Sequence, residues 1–152
     1  SEVEIIKKEI LDDALGSILD LGCGPGNHCL EFAKQGVRVH GVDISPKFIE
    51  IASRRAAKNG FDLEATFQVA DMRKLKRIPQ TEQWPNGFEP EGIVSISTSF
   101  GFYDDDTNKE ILKQARFLVS GAGAFWPPGT STGPTARSPR IPRTVPNRWI
   151  DG

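Results

Sequence analysis

One stretch constrains this chain more than any other: Ile18-Leu19-Asp20-Leu21-Gly22-Cys23-Gly24-Pro25-Gly26. Ile18, Leu19 and Leu21 form a short apolar run suited to a buried strand, a glycine-rich turn follows, and Asn27 to Gln35 have helical character. A strand, a tight turn and a helix N-terminus in succession place backbone N–H groups beside an open crevice. Glycines in the turn let a ligand approach the main chain more closely than any side chain would permit. The next apolar run, Val37 to Val42, ends at Asp43. A carboxylate at the tip of a second strand, about 20 residues past the loop, is placed to grip a ribose diol.

The remaining punctuation extends this unit into a series. A helix is expected over 4–15, with Ile6, Ile10 and Leu11 on one face and Gly16 as its stop. The first strand is 17–21, the first crossover helix 27–35 and the second strand 37–42. Ser45 as N-cap and Pro46 as first helical residue open a helix that stops at Asn59-Gly60, with Phe48, Ile51, Ala52 and Ala56 as its buried stripe. Leu63, Ala65, Phe67 and Val69 alternate as a third strand. Residues 73–92, broken by Pro79, Pro85, Pro90, Gly87 and Gly92, read as irregular. A fourth strand over 93–97, a helix over 107–119 with Thr107 and Glu110 at capping-box spacing, and a fifth strand over 122–126 complete the series. Strands alternating with helices imply an α/β fold: an open parallel sheet with right-handed crossovers, in the order 3-2-1-4-5, its crevice between strands one and four.

The spacing of the glycines separates two ligand classes. The dinucleotide fingerprint is G-x-G-x-x-G, with a pyrophosphate seated on the helix N-terminus. Here the spacing is G-x-G-x-G, and Asn27 stands where the third glycine would be. Asp20 adds a negative charge that opposes a pyrophosphate and suits a ligand bearing a positive amino group. With Asp20-Leu21-Gly22-Cys23-Gly24-Pro25-Gly26, then Gly41-Val42-Asp43-Ile44-Ser45, then Ala70-Asp71-Met72 in that order, the chain resembles the class I S-adenosylmethionine-dependent methyltransferases, which have a Rossmann-like fold.

That resemblance implies S-adenosylmethionine as cofactor and a role for each matching residue. Gly22, Cys23, Gly24 and Gly26 would wrap the methionine portion. Asp20 would hold its ammonium or brace the loop, and Asp43 would accept both ribose hydroxyls. Ile44 would cover one adenine face, Asp71 would accept the exocyclic amine, and Met72 would line the same pocket. The segment Ser97-Thr98-Ser99-Phe100-Gly101-Phe102-Tyr103 follows the fourth strand, where a methyl acceptor would approach. Ser97 falls on the cofactor side of that approach, and Tyr103 is the candidate to polarise an acceptor or pack over it. The segment is not the Asn-Pro-Pro-aromatic signature of amino-directed nucleic-acid methyltransferases. A small-molecule acceptor is therefore expected and nucleic acid is not. Asp104-Asp105-Asp106 precede a helix, whose dipole they complement, and no metal site is assigned to them. Cys23, Cys29, His28 and His40 fit no metal-ligand spacing.

Composition bounds the rest. A formal charge of −1 provides no bulk attraction to nucleic acid or anionic membrane, and no apolar run reaches the ~20 residues of a membrane-spanning helix. Two cysteines without a pairing pattern, and no leader pattern, suggest a cytoplasmic protein. Residues 1–126 read as the cofactor-binding core. Residues 127–152 carry six of the eleven prolines and four arginines but none of the nine lysines, and read as an irregular tail. The family fold continues after strand five with a helix and two more strands, and strands six and seven are not legible here. The chain thus reads as a core shortened at both ends, either a catalyst or a cofactor-binding fragment without acceptor-binding parts. An unpaired fifth strand would need covering, by the tail through Trp149 and Ile150 or by a second copy of the chain in a homo-oligomer.

Overall fold

The computed structural model describes residues 1–11, 16–96, 103–119 and 124–126. Within them lie helix α1 (Glu2–Leu11), strand β1 (Ser17–Leu21), helix α2 (Asn27–Lys34), strand β2 (Arg38–Asp43), helix α3 (Pro46–Lys58), strand β3 (Ala65–Val69), a 3-10 segment (Met72–Gln80), strand β4 (Gly92–Val94), helix α4 (Asp105–Leu118) and strand β5 (Ala124–Trp126). The strands form one sheet in the order β3-β2-β1-β4-β5, every pair parallel. This is the expected Rossmann-like α/β arrangement. The proposed tail, its anchors Trp149 and Ile150, and any strands six and seven lie outside the described residues.

Because the central strands are covered on both faces, their side chains divide into two cores. Ile18, Val39, Ala65 and Val94 pack with α1 and α2 residues such as Val3, Ile6, Cys29 and Phe32. Leu19, Leu21, Val42 and Ile93 pack with the 3-10 segment and α4 through Leu75, Ile78, Ile111 and Ala115. Period-two alternation along β1 therefore sends Leu19 and Leu21 to the second core and Ile18 to the first.

The structure corrects several expectations. In α3, Ser45 is the N-cap, its Oγ accepting from the Phe48 N–H (3.3 Å), and Pro46 opens the helix as expected. The buried stripe, however, is Ile49, Ala52 and Ala56; Phe48 is 43% exposed. The positions i, i+3 and i+7 point at the sheet, while Phe48 lies one residue off that line in the first turn. Leu63 is 80% exposed because it sits in the turn before β3, and Val69 at the strand's far end is exposed too. Residues 72–80 form a 3-10 segment kinked at Lys74, where irregular structure was expected. Helix α4 begins at Asp105, not Thr107: the Asp104 carboxylate accepts from the Thr107 N–H (2.8 Å) and is the true N-cap. Asp is at least as good an N-cap as Thr, and the acids that follow favour the helix dipole. The expected helix over 4–15 is described only to Leu11, and Ser97 lies outside the described residues.

His40 is fully buried on β2 and organises its surroundings. Its Nδ1 lies 2.8 Å from Thr66 Oγ1 and its Nε2 3.1 Å from Gln68 Oε1. An amide oxygen only accepts, so Nε2 carries the proton and Nδ1 accepts from the threonine hydroxyl. Gln68 passes the chain on, donating to Thr81 Oγ1 (2.8 Å), which donates to the Ile78 carbonyl (2.9 Å). Trp84 packs edge-on at 5.2 Å and Phe88 tilts at 5.9 Å. The network ties β2 and β3 to the end of the 3-10 segment. His40→Ala leaves a cavity and strips the buried Gln68 and the half-buried Thr66 of a partner, so a loss of about 3 kcal/mol is expected in urea denaturation. A loss below about 1 kcal/mol would mean the network contributes little.

Candidate functional site

The C-terminal tips of β1 and β2 converge with the start of the 3-10 segment on one cleft. It is lined by Gly22, Val42, Asp43, Ile44, Ala70, Met72 and Tyr103. In an open parallel sheet this is the end at which ligands bind. Of the expected site residues, the structure brings Gly22, Asp43, Ile44, Met72 and Tyr103 together in one lining. Cys23, Gly24 and Gly26 continue the loop behind Gly22. Asp20 lies beneath it, Asp71 stands beside the lining and outside it, and Val42 and Ala70 are additional walls.

The loop departs from the expectation of bare N–H groups. The Val42 carbonyl accepts from both Gly22 N–H (2.8 Å) and Cys23 N–H (3.0 Å), and the Cys23 carbonyl accepts from Gly26 N–H (3.1 Å). Asp43 Oδ2 accepts from Gly24 N–H at 2.9 Å, and Asp43 Oδ1 from Ser45 N–H at 2.8 Å. The N–H groups of Gly22, Cys23, Gly24 and Gly26 are thus consumed internally and are not offered to an anion. Each Asp43 oxygen keeps a second acceptor lone pair for a hydroxyl.

Two glycines have different reasons to be glycine. At Gly24, φ is +55° and an added Cβ would meet nothing within 4 Å, although the residue is buried. A side chain there would fill open space beside the cleft. At Gly41 an added Cβ would lie 2.8 Å from Cys23 Sγ and 2.9 Å from Phe67 Cδ1. Gly41 therefore makes room for Cys23 to fold inward under the loop.

Asp20 is 1% exposed. Its Oδ2 accepts from the Cys29 thiol at 3.3 Å, and its Oδ1 has no partner among the described residues. Burial, with the Asp43 charge adding to it, pushes this carboxyl up to about 7 against the opposing Cys29 hydrogen bond. Cys29, beside Cys23 and fully buried, has its thiol pushed well above the ordinary range. Neither cysteine is in a disulfide.

The far wall is set by polar residues that sequence reasoning missed. Gln114 on α4 is buried, accepts from Lys76 N–H (3.0 Å) and donates to the Arg73 carbonyl (2.9 Å), clamping the 3-10 segment's backbone. Asn108 donates to the Tyr103 carbonyl at 3.1 Å. The available signal was their place among Ile111, Leu112 and Ala115 on the helix's apolar side. Asp71, expected to accept an amine, caps the 3-10 segment through Arg73 N–H (2.9 Å) and pairs with the Arg73 guanidinium (2.7 Å), which holds its carboxyl below the usual range. The same guanidinium lies 5.3 Å over the Tyr103 ring, joining the two parts of this wall.

Fold and cleft define a Rossmann-like domain with a cleft at its strand tips and a carboxylate, Asp43, in the cleft's lining. Residues 12–97 match the model of a methyltransferase domain family, and the chain belongs to that family. It is 39% identical over 109 residues to ajmaline N-methyltransferase of Rauvolfia serpentina, covering 70% of this chain and 33% of that protein. It is 46% identical over 55 residues to a 23S rRNA (uracil(1939)-C(5))-methyltransferase of Shewanella amazonensis, covering 36% of this chain and 12% of that one. Among solved structures, a TehB-like S-adenosylmethionine-dependent methyltransferase of Corynebacterium glutamicum is 25% identical with a TM-score of 0.60, covering 80% of this chain and 58% of that one. The chain thus spans about a third of the length of the plant enzyme it matches.

His40 and Asp20 titrate with opposite sign. His40 is held neutral, pushed by burial from 6.5 to about 4. Between those values the unfolded chain holds a proton that the folded one lacks, so stability rises with pH. The Asp20 carboxyl, raised from 3.8 to about 7, keeps a proton that the unfolded chain has lost, so stability falls as pH rises over that range. The two slopes cancel between about pH 4 and 6.5. Asp20→Asn, which mimics the protonated acid, should therefore steepen the rise of stability across this window by about 1.4 kcal/mol per pH unit relative to wild type. Parallel pH profiles for the two proteins would show that the Asp20 carboxyl is ionised throughout.

Proposed function

We propose that this domain binds S-adenosylmethionine at the tips of β1 and β2 and serves methyl transfer to a small-molecule acceptor. The observation that carries the reading is the loop from Gly22 to Gly26: its donors are spent internally, a buried carboxyl lies beneath it, and a second carboxylate stands at the β2 tip. That combination disfavours a pyrophosphate and suits a ligand with an ammonium at one end and a ribose diol at the other. Open space at Gly24 and the unpartnered Asp20 Oδ1 fit such a ligand. Membership of a methyltransferase domain family supports the same reading.

In this reading Asp43 accepts the ribose hydroxyls while still holding the loop through Gly24 N–H. Ile44, 61% exposed at the cleft's rim, becomes covered by the adenine, and Met72 and Ala70 line its pocket. Asp71 accepts the exocyclic amine through an oxygen it shares with Arg73. Asp20 supplies negative charge for the ammonium. When bound, the cofactor supplies a methyl group on a positive sulfonium, open to in-line displacement. The chain's part is then orientation and exclusion of water. Tyr103, in the lining and held through its own carbonyl by Asn108, packs over or polarises the acceptor. A small molecule as acceptor is supported by the likeness to the plant N-methyltransferase and by the net charge of −1, which does nothing to gather a polyanion.

Calorimetry should show S-adenosylhomocysteine binding in the micromolar range and no measurable binding of NAD. Asp43→Ala should weaken binding about 10- to 150-fold, the equivalent of ~1.5–3 kcal/mol for charge-assisted hydrogen bonds. Gly24→Val, with a branched side chain at positive φ in the open space, should abolish it while the helical circular dichroism persists. Tighter binding of NAD than of S-adenosylhomocysteine would overturn the cofactor assignment, and unchanged affinity in Asp43→Ala the ribose contact. Single-turnover methyl transfer to a panel of amine and hydroxyl acceptors tests the transfer itself, and its absence for every acceptor in the presence of cofactor binding would overturn the small-molecule transfer.

A further inference from the structure

Asp20 is a buried carboxyl whose surroundings supply no counter-charge. From α2 it faces the Cys29 thiol, and Cys23 of the loop lies against that thiol. From β2 it feels Asp43, a second carboxylate. Its partners in register, Gly41 on β2 and Val94 on β4, are uncharged. Arg55 reaches the loop from α3, but its guanidinium is engaged with the Pro25 carbonyl and Asn27 Oδ1, both at 2.7 Å. Among the described residues Asp20 makes no ion pair, and its Oδ1 has no donor. An isolated carboxylate in such a place is costly, and the inexpensive alternative is to keep the proton. Asp43 differs in accepting a backbone N–H at each oxygen.

We infer that ligand binding at this cleft is proton-coupled: the Asp20 carboxyl carries a proton when no cation lies against the glycine loop and releases it to solvent when a ligand's ammonium group settles there. The inference rests on the proposed cofactor and extends it to regulation of the same site by pH. The coupling is electrostatic. A unit positive charge a few ångströms away in a poorly solvated site stabilises the carboxylate strongly, with or without direct contact. The O–H bond of the carboxyl breaks, its electron pair stays on oxygen, and the proton passes to a buffer base. No covalent bond to the ligand forms. Affinity for a ligand bearing the ammonium then depends on pH, whereas affinity for the same nucleoside without it does not.

The test is calorimetric titration of the full chain with S-adenosylhomocysteine at pH 6, in two buffers of different ionisation enthalpy. About 0.9 proton should be released per ligand bound, and affinity should be about 10-fold weaker at pH 6 than at pH 8, as follows for a carboxyl that titrates near 7 in the ligand-free protein. Methylthioadenosine, which lacks the amino-acid portion, should bind with no proton release. Asp20→Asn should bind S-adenosylhomocysteine with no proton release and with affinity equal within about 2-fold at the two pH values. Binding of S-adenosylhomocysteine without proton release overturns the inference alone, as does equal release from Asp20→Asn or from methylthioadenosine. Absence of any S-adenosylhomocysteine binding overturns the cofactor reading, and the inference with it. Should Asp20→Asn fail to fold, carbon NMR of labelled aspartate carboxyls in the wild-type chain decides. A buried carboxyl titrating near neutrality, and ionised at pH 6 once ligand is added, supports the inference; all aspartates titrating below about 5 in the free protein overturns it.

Discussion

The cleft hangs on one carboxylate. Asp43 ends β2, and its two oxygens fasten the loop after β1 through Gly24 N–H and the start of α3 through Ser45 N–H. Two parallel strands deliver their chain ends side by side, but nothing in strand pairing says how the loops beyond them turn. A side chain accepting from both loops couples their shapes, with charge-assisted bonds that are stronger than neutral ones. The Val42 carbonyl repeats the arrangement one residue earlier by accepting from Gly22 and Cys23. The strand tip thus orders the loop before any ligand arrives, and the loop's own donors are exhausted in the process.

That exhaustion has an electrostatic consequence. A glycine loop leading into a helix is ordinarily an anion site because its N–H groups are unsatisfied. Here Gly22, Cys23, Gly24 and Gly26 already have acceptors, and two carboxyl groups, Asp20 and Asp43, stand nearby. The strand–loop–helix scaffold thus keeps its topology while its loop offers acceptors and carboxyl groups in place of free donors. Asp20 is the less satisfied of the two: the Cys29 thiol alone donates to it among the described residues, and Asp43 adds a like charge.

The parts of this arrangement legible in the sequence are those dictated by backbone chemistry. Strand order, the loop from Gly22 to Gly26, the Ser45-Pro46 helix start and the position of Asp43 follow from period, turn residues and caps. Errors fell where a side chain's environment comes from elsewhere in the fold. Phe48 and Ile49 are adjacent apolar residues, and only the direction of the sheet decides which is buried. Val69 completes an alternation yet is exposed at the end of β3, whereas Gln68 is buried because His40 and Thr81 satisfy it. Thr107 offered a capping box, but Asp104 three residues earlier captured the same N–H. The consumption of the loop's donors was not legible either, since Val42 and Asp43 meet them only after a crossover of about 20 residues.

The two walls of the cleft are built differently, and this bears on what each can specify. The Asp43 wall is anchored by parallel strands with buried apolar residues on both faces. The opposite wall, Met72 and Tyr103, is held by side chains reaching from α4: Gln114 grips the backbone at Arg73 and Lys76, and Asn108 grips the Tyr103 carbonyl. Arg73 then bridges the wall's two parts, paired with Asp71 and stacked over Tyr103. Backbone clamps of this kind set where the segment runs without dictating its outward side chains. A wall so constructed can change its outward side chains while its backbone path stays fixed. Tyr103 can be replaced on such a backbone without moving Met72, provided Gln114 and Asn108 keep their grip.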